Sequence, residues 1–355
     1  MSRIVAVRPR VLDAALVDPF VIATTRLDTV RNVAVEVELS DGTRGYGEVP
    51  VLHPVTVETT ASAWAGVETG GPALIGLDPS DPAHIAEVVA EALPGSAATA
   101  AALEQGVWDA WARHLRVPLH ALFGGAAAAV HTDITLPIGE PGRAGQLAAE
   151  WRQRGFDVLK VKVGHDVGND LERLRAIARG HPKASWILDG NEGWTAEQTL
   201  DLLAHLAREG LHPALLEQPV PRDDVEGMAR LVREAGVPIA ADETCQGPDD
   251  VARIARDRIA NVVNLKLSKS GVHQGLRLIE EARTHRLGLM IGGMVETRIG
   301  MGFAAHLVSG VGGFTWIDLD TPLLMSDDPV VGGTPLEGPV WRPDQVVAGH
   351  GGAPC

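Results

Sequence analysis

The 355-residue chain has only two cysteines, Cys245 and Cys355. That excludes a disulfide framework, and nothing points to an oxidising compartment. No run of about 18 apolar residues occurs, which excludes a transmembrane helix. The opening stretch carries arginines but no apolar h-region, so no secretory signal is read there. Positive charge is in deficit too. The formal net charge of -15 argues against nucleic acid or an anionic membrane as a general partner. An anionic substrate would have to be drawn by local cations or a metal. These absences leave the cytoplasm as the expected location. What is present is ordinary for a soluble globular protein: 45% hydrophobic and 22% charged, enough for two domains or one large barrel with additions.

Residues 1–125 read as an α+β capping domain. A strand at 32–39, the turn Ser40-Asp41-Gly42-Thr43 and a return strand at 44–49 make a hairpin. Helical patterns follow near 56–69, 81–92 and 97–116. From about 131 the rhythm changes. Strand-like runs fall at 132–137, 157–163, 185–189, 213–217, 237–241, 261–266, 287–291 and 314–318, with amphipathic helical patterns between them. Eight strands alternating with helices at that period predict an α/β fold, a parallel (β/α)8 barrel over 126–320. The span is short for such a barrel, so one helix is expected to be missing or irregular. A doubly wound open sheet competes, but no Gly-x-Gly-x-x-Gly turn opens the series. The tail, 321–355, rich in Gly, Pro and Asp, is expected to pack back on the capping domain.

The second barrel strand contains Lys160-Val161-Lys162. Side chains alternate along a strand, so both lysines share one face while Leu159, Val161 and Val163 share the other. An edge strand with lysines facing water is one explanation. The strand ends that follow suggest another, because active sites of (β/α) barrels lie at the C-terminal ends of the strands. Asp189, Glu217 and Asp242 close three consecutive strands. Each acid could simply cap the helix that follows. Three carboxylates at one depth would otherwise repel unless a cation lay between them. A donor set with only oxygen selects Mg²⁺ first and Mn²⁺ second.

Lys162 and Lys266 lie four strands apart, on opposite sides of the barrel mouth. That arrangement suits moving a proton on and off one carbon from either face. A carbon next to a carboxylate becomes acidic enough when a divalent cation stabilises the enediolate. The base must also be neutral, and a free lysine has a pKa of about 10.4. Two ammoniums about 6 Å apart at an effective dielectric near 20 repel by about 3 kcal/mol, about two pKa units. Lys160 would supply that push and could hold a substrate carboxylate.

These motifs resemble the enolase superfamily, in its muconate-lactonizing subgroup. The resemblance covers nearly the whole chain: Gly45-Tyr46-Gly47-Glu48, Pro118-Leu119-His120-Ala121-Leu122-Phe123-Gly124-Gly125, Lys160-x-Lys162, Asp189-x-Asn191, Glu217-Gln218-Pro219, Asp242-Glu243 and Lys266. It implies Mg²⁺ at Asp189, Glu217 and Asp242, with Lys162 and Lys266 as acid/base residues and Asn191 and Glu243 in support. It also implies capping loops near 20–27 and 50–55 that close the barrel and choose the substrate.

Within the subgroup, Asp318-Leu319-Asp320 followed by Thr321-Pro322-Leu323 looks like the dipeptide epimerases. There the two carboxylates hold the α-ammonium of a dipeptide while the C-terminal residue is inverted. The alternative for this pair is a polar strand end with a helix cap. Arg26 sits where alanyl-glutamate epimerases pair an arginine with the glutamate side chain; it could equally be a surface residue. Thr135 looks placed for a hydrogen bond to substrate. Met294 is counted among the substrate-contacting residues, as packing rather than as a reactant. The implied activity is Mg²⁺-dependent epimerisation of a small dipeptide. N-succinylamino acid racemase, o-succinylbenzoate synthase and muconate-type cycloisomerase are the alternatives. Their substrates lack a free ammonium, which two carboxylates at that wall disfavour. A homo-oligomer is compatible with the sequence.

Overall fold

β1 (Ile4–Val21), β2 (Arg26–Leu39) and β3 (Arg44–Val49) pair antiparallel in that order. They are the first elements of a computed structural model that describes every residue except Met1, Thr24, Pro54, Ala126, Ala127 and His165. The hairpin between β2 and β3 is where the turn signal put it, with Gly42 at φ 84°. β1 was not anticipated. Its Arg8 and Arg10 interrupt the apolar alternation, yet both reach Glu36 across the ladder, at 3.0 and 3.2 Å. The segment 20–27 is therefore the tip of a long hairpin, with Phe20 opposite Leu27 and Val21 opposite Arg26.

The helix Ala97–His114 lies directly on this sheet. The glycines of Gly45-Tyr46-Gly47 make that approach feasible: a Cβ at Gly47 would stand 2.0 Å from the carbonyl oxygen of Ala102. Two shorter helices, Thr60–Leu74 and Pro82–Ala92, complete the cap.

The second part is a curled sheet of eight parallel strands, ordered in space as in the chain. They are Ile134–Leu136, Val158–Lys162, Ser185–Asp189, Leu215–Glu217, Ile239–Ala241, Val262–Leu265, Gly288–Ile291 and Trp316–Ile317. Each falls inside an expected run. The seam between the last and first is closed by Asp133 N–H on the carbonyl of Ile317, 2.9 Å, and Leu319 N–H on Thr132 Oγ1, 2.8 Å. Helices separate successive strands. After the eighth strand no α-helix follows among the described residues, only the 3-10 turns Thr321–Leu324 and Pro343–Gln345 and short strands, so the eighth helix is the irregular one. Another irregularity is inside Leu267–Thr284, broken where Gly271 takes φ 74°.

Strand parity sorts the side chains. Leu159, Val161, Leu188, Leu216, Ile239, Val263, Leu265 and Ile291 are buried outward against the helices. On the inner face Ile187, Leu215, Ala240, Val262 and Met290 form an apolar plug. Two residues further along, three of these strands turn ionic with Asp189, Glu217 and Asp242, while the other two carry Asn264 and Gly292.

Buried carboxylates of the cap join the two parts. Glu48 accepts from Asn32 Nδ2 at 2.7 Å, Thr297 Oγ1 at 2.6 Å and Gly300 N–H at 2.9 Å, so it caps the helix Gly300–Val311. Glu104 accepts Val272 and His273 N–H at 3.0 and 2.8 Å, where the broken helix restarts after Gly271. Burial pushes Glu104 up to about 7 despite those bonds. The tail reaches both parts. Ser326 N–H bonds the carbonyl of Ala15 at 2.8 Å, His350 N–H bonds Asp109 at 2.7 Å, and Val340–Trp341 pairs with Val130–His131. No helix among the described residues is long and apolar enough to cross a membrane.

Candidate active site

The ladders fix the site before any side chain is considered. Lys162 pairs in register with Asp189, and Asp189 with Glu217, so the ends of three strands stand at one height. The strand before is held in place from behind: Arg173, buried against Asp170 at 2.8 Å, donates to the carbonyl of Lys162 at 2.8 Å. Gly164, at φ 106°, turns the chain away at once; a Cβ there would meet the carbonyl oxygen of Gly190 at 2.3 Å.

Above the plug lies a buried ionic layer. Lys160 Nζ is 3.0 Å from Asp189, 2.8 Å from Glu217 and 2.6 Å from Asp318. Lys162 Nζ is 2.6 Å from Asp189, and Lys266 Nζ is 2.8 Å from Asp242. Among these groups, burial alone would raise Asp189, but Lys160 and Lys162 hold it down at about 2. Burial also raises Glu217, and Asp189 adds to it, so Glu217 reaches about 7 although Lys160 opposes. Burial, the largest effect, and Lys160 pull Lys266 down, yet Asp242, Glu217 and Glu243 together outweigh them and leave it raised. The expected depression by a neighbouring ammonium is therefore not the winning effect at Lys266; the carboxylates are closer.

The expected metal ligands share a layer but do not gather round one point. Asp189 and Glu217 meet at Lys160, whereas Asp242 is shared between Lys266 and Lys269, each at 2.8 Å. Their oxygens face ammoniums rather than one another, as like charges must. Glu217 Oε1 accepts from Asn264 at 2.7 Å, while its Oε2 faces Lys160 Nζ at 2.8 Å. Asn191 Oδ1 and Glu243 Oε2 are buried without a hydrogen bond, although Asn191 Nδ2 reaches Glu243 Oε1 at 3.5 Å. An all-oxygen set with orphaned acceptors fits a hard cation.

The tightest acidic group lies elsewhere. Asp133, Asp318 and Asp320 offer oxygens within 4.8 Å of one another, the one such triple of His, Cys, Asp or Glu among the described residues. Asp320 accepts the backbone N–H of Thr135, and its Oδ1 has no partner. Neither oxygen of Asp133 has a hydrogen bond. Burial, then Asp318 and Asp320, push Asp133 well up, and burial with Asp318 lifts Asp320 to about 7.

A cavity of about 30 Å³ opens above the ionic layer. Thr135, Lys162, Lys266, Asn191, Glu243 and Asp318 line it below. Phe20, Ile22, Leu52, Val55 and Met294 roof it and belong to one apolar cluster. Both expected capping segments thus reach the site, apart from Thr24 and Pro54, which lie outside the described residues. Met294 packs, as expected. Arg26 does not come to the site. It is turned outward and paired with Asp28 at 2.8 Å, with 59% of its side chain exposed. The reason is strand parity: Arg26 opens β2 opposite Val21, on the outer side of the hairpin tip.

Asp133, Asn264, Lys269 and Gln218 were missed as site residues. Parity could have found two of them, since Asp133 precedes the inward Thr135 by two and Asn264 precedes Lys266 by two. Gln218, at φ 32°, accepts the N–H groups of Asp242 and Thr244 at 3.0 and 3.1 Å and so sets the Asp242 turn. Lys269 had no sequence signal; one helical turn brings it back to Asp242.

Fold and site together define a capped (β/α)8 barrel enzyme with its ionic centre at the strand ends. Residues 5–124 match the mandelate racemase / muconate lactonizing enzyme N-terminal domain, and residues 143–351 match the enolase C-terminal domain-like family. The chain belongs to the enolase superfamily, and it is an isomerase of the racemase and epimerase type. It is 46% identical to an L-Ala-D/L-amino acid epimerase of Populus trichocarpa, over 94% of this chain and 80% of that one. It is 40% identical to an aromatic dipeptide epimerase of Herpetosiphon aurantiacus, over 99% and 98%. A dipeptide epimerase from Enterococcus faecalis, solved with Mg and the dipeptide L-Leu-L-Tyr, superposes with a TM-score of 0.94 at 34% identity, covering 99% of both chains.

Proposed function

We propose that this enzyme is a Mg²⁺-dependent dipeptide epimerase that inverts the α-carbon of the C-terminal residue. The observation that carries the reading is one cavity holding Lys162 and Lys266, from strands four apart, beside the acidic wall of Asp318. Lys160, with Asp318 and Asp320 beyond it, spans the distance between a carboxylate site and an ammonium site. Lys162 removes the α-proton from one face and Lys266 returns one to the other, or the reverse for the opposite epimer.

Asp189, Glu217 and Asp242 would hold the ion, with Asn264 orienting Glu217. When bound, a divalent cation supplies positive charge beside the substrate carboxylate and makes negative charge at the α-carbon less costly. Asp318 and Asp320 receive the ammonium, whose charge the unpartnered oxygens of Asp133 and Asp320 lack. An N-succinyl or muconate-type anion would meet those same carboxylates and be repelled. The cavity, about 30 Å³, is the size of one water, so the roof lifts to admit a dipeptide. A cytoplasmic location belongs to the same reading, supported by two free cysteines.

The test is a dipeptide library incubated in D₂O with Mg²⁺ and read by mass shift and chirality. Deuterium should enter the C-terminal α-position as the stereocentre scrambles. Turnover of N-succinyl amino acids with no exchange into any dipeptide would overturn the assignment.

A further inference from the structure

A second cavity adjoins the first and is not used by the chemistry above. It measures about 140 Å³ and shares Phe20 and Thr135 with the ionic cavity as a common wall. Beyond that wall it is lined by Pro137, Leu147, Trp151 and Leu323. Its charged residues are mostly held by one another or by an aromatic ring. Arg143 pairs with Asp18 at 2.8 Å and Glu150 at 3.0 Å, and the Arg154 guanidinium lies 4.0 Å over the Trp151 ring. The lining therefore offers mainly apolar surface, with the stacked Arg154 as its one cation not paired to a carboxylate among the described residues.

The geometry points to this chamber as the subsite for the side chain of the N-terminal residue of the dipeptide, which it takes when that side chain is a large aliphatic or an aromatic group. The inference rests on the epimerase reading above. Thr135 joins the two spaces: its N–H bonds Asp320, and the residue lines both cavities. An ammonium held at Asp318 and Asp320 stands next to Thr135. From that amino-bearing carbon, one substituent leads through the peptide bond toward Lys162 and Lys266, and another must leave past Thr135. What lies there is the chamber. Its size suits the role, since an apolar cavity of about 150 Å³ holds a benzene ring. Phe20 divides the two spaces, its ring centroid 5.9 Å from Lys162 Nζ. The side chain of the inverted residue is left to the other compartment, under Ile22, Leu52 and Val55.

The experiment compares kcat/KM of the Mg²⁺-loaded enzyme for L-Ala-L-Leu, L-Leu-L-Leu, L-Phe-L-Leu and L-Trp-L-Leu, in the wild type and in Leu147→Trp and Leu147→Ala. The wild type should favour L-Leu-L-Leu and L-Phe-L-Leu over L-Ala-L-Leu. Leu147→Trp fills the chamber and should cut that preference about tenfold or more. Leu147→Ala enlarges it and should shift the preference toward L-Trp-L-Leu. If the tryptophan variant loses its folded circular dichroism, the alanine variant decides. Dipeptide turnover with a preference that neither variant moves overturns the chamber alone. Turnover of no dipeptide by the wild type overturns the reaction on which it rests.

Discussion

The floor of the cavity is ionic and its roof is apolar, and the two come from different parts of the chain. Lys160, Lys162, Asp189, Glu217 and Asp318 occupy inward positions at the ends of barrel strands and contact one another at 2.6–3.0 Å. Phe20, Ile22, Leu52 and Val55 come from the cap and pack with Met294 of the barrel. The floor is interlinked: Lys160 alone meets three carboxylates, so removing it leaves others buried and less compensated. The roof is held by dispersion and burial, which tolerate changes of shape at similar volume. Chemistry therefore resides in a part that resists substitution and selection in a part that accepts it. Carboxylates cross the divide: Glu48 of the cap also caps a barrel helix, as Glu104 does another, so the roof is anchored by polar posts behind an apolar face.

The sharpest way to break this contrast is at the lysines. Lys266→Ala should lower epimerisation by about 10³-fold, within the range for loss of a positioned acid/base group. It should still exchange the α-proton of one epimer through Lys162, visible by NMR in D₂O. Loss of exchange for both epimers would deny the division of faces. Next is the cation. Millimolar Mg²⁺ should raise the Tm of the wild type, by about 2.7 kcal/mol of stabilisation at a hundredfold excess over Kd. Glu217→Gln should abolish that rise, and an undiminished shift would place the ion elsewhere, with Asp133, Asp318 and Asp320 the first group to examine. Asp320→Asn keeps an acceptor for the N–H of Thr135 and removes a charge. It should lower kcat/KM for free dipeptides about 10- to 100-fold, the worth of a hydrogen bond to a charged group. An unchanged value would remove Asp320 from ammonium binding. The smallest effect belongs to the outer surface of the roof. Arg26→Ala should leave kcat/KM unchanged for dipeptides with either an acidic or an apolar C-terminal residue. A selective loss on the acidic ones would show that Arg26 swings inward when substrate binds.

Much of the floor was legible because one period produced it. Asp189, Glu217 and Asp242 recur at spacings of 28 and 25 residues, the length of a βα unit. A barrel converts that repeat into a common height. Parity then turned Lys160 and Lys162 inward together. Asp318 and Asp320 were read as a pair on one face, and the structure gives them different surroundings: Asp318 meets Lys160, and Asp320 meets Thr135. The roof was much less legible. The hairpin tip was taken for a loop because Arg8, Arg10 and Asp13 mask the alternation of β1, and those charges make sense only against Glu36 and Arg31 on β2. The place of Arg26 in the chain allows either a substrate contact or a surface position, and its ladder position turns it outward onto Asp28.

The sequence by itself determined the fold class, the layer of carboxylates and lysines, and the family, because local repeats and strand parity are written one residue after another. Only the tertiary structure decided which oxygen each ammonium takes, that Asp133 joins Asp318 and Asp320, and that an apolar roof with a second chamber lies over the ionic floor. Those contacts join different strands, or the cap to the barrel, from Lys162 with Asp189 to Asp133 with Asp318, and they are set by how the cap, the barrel strands and the closing seam are packed together.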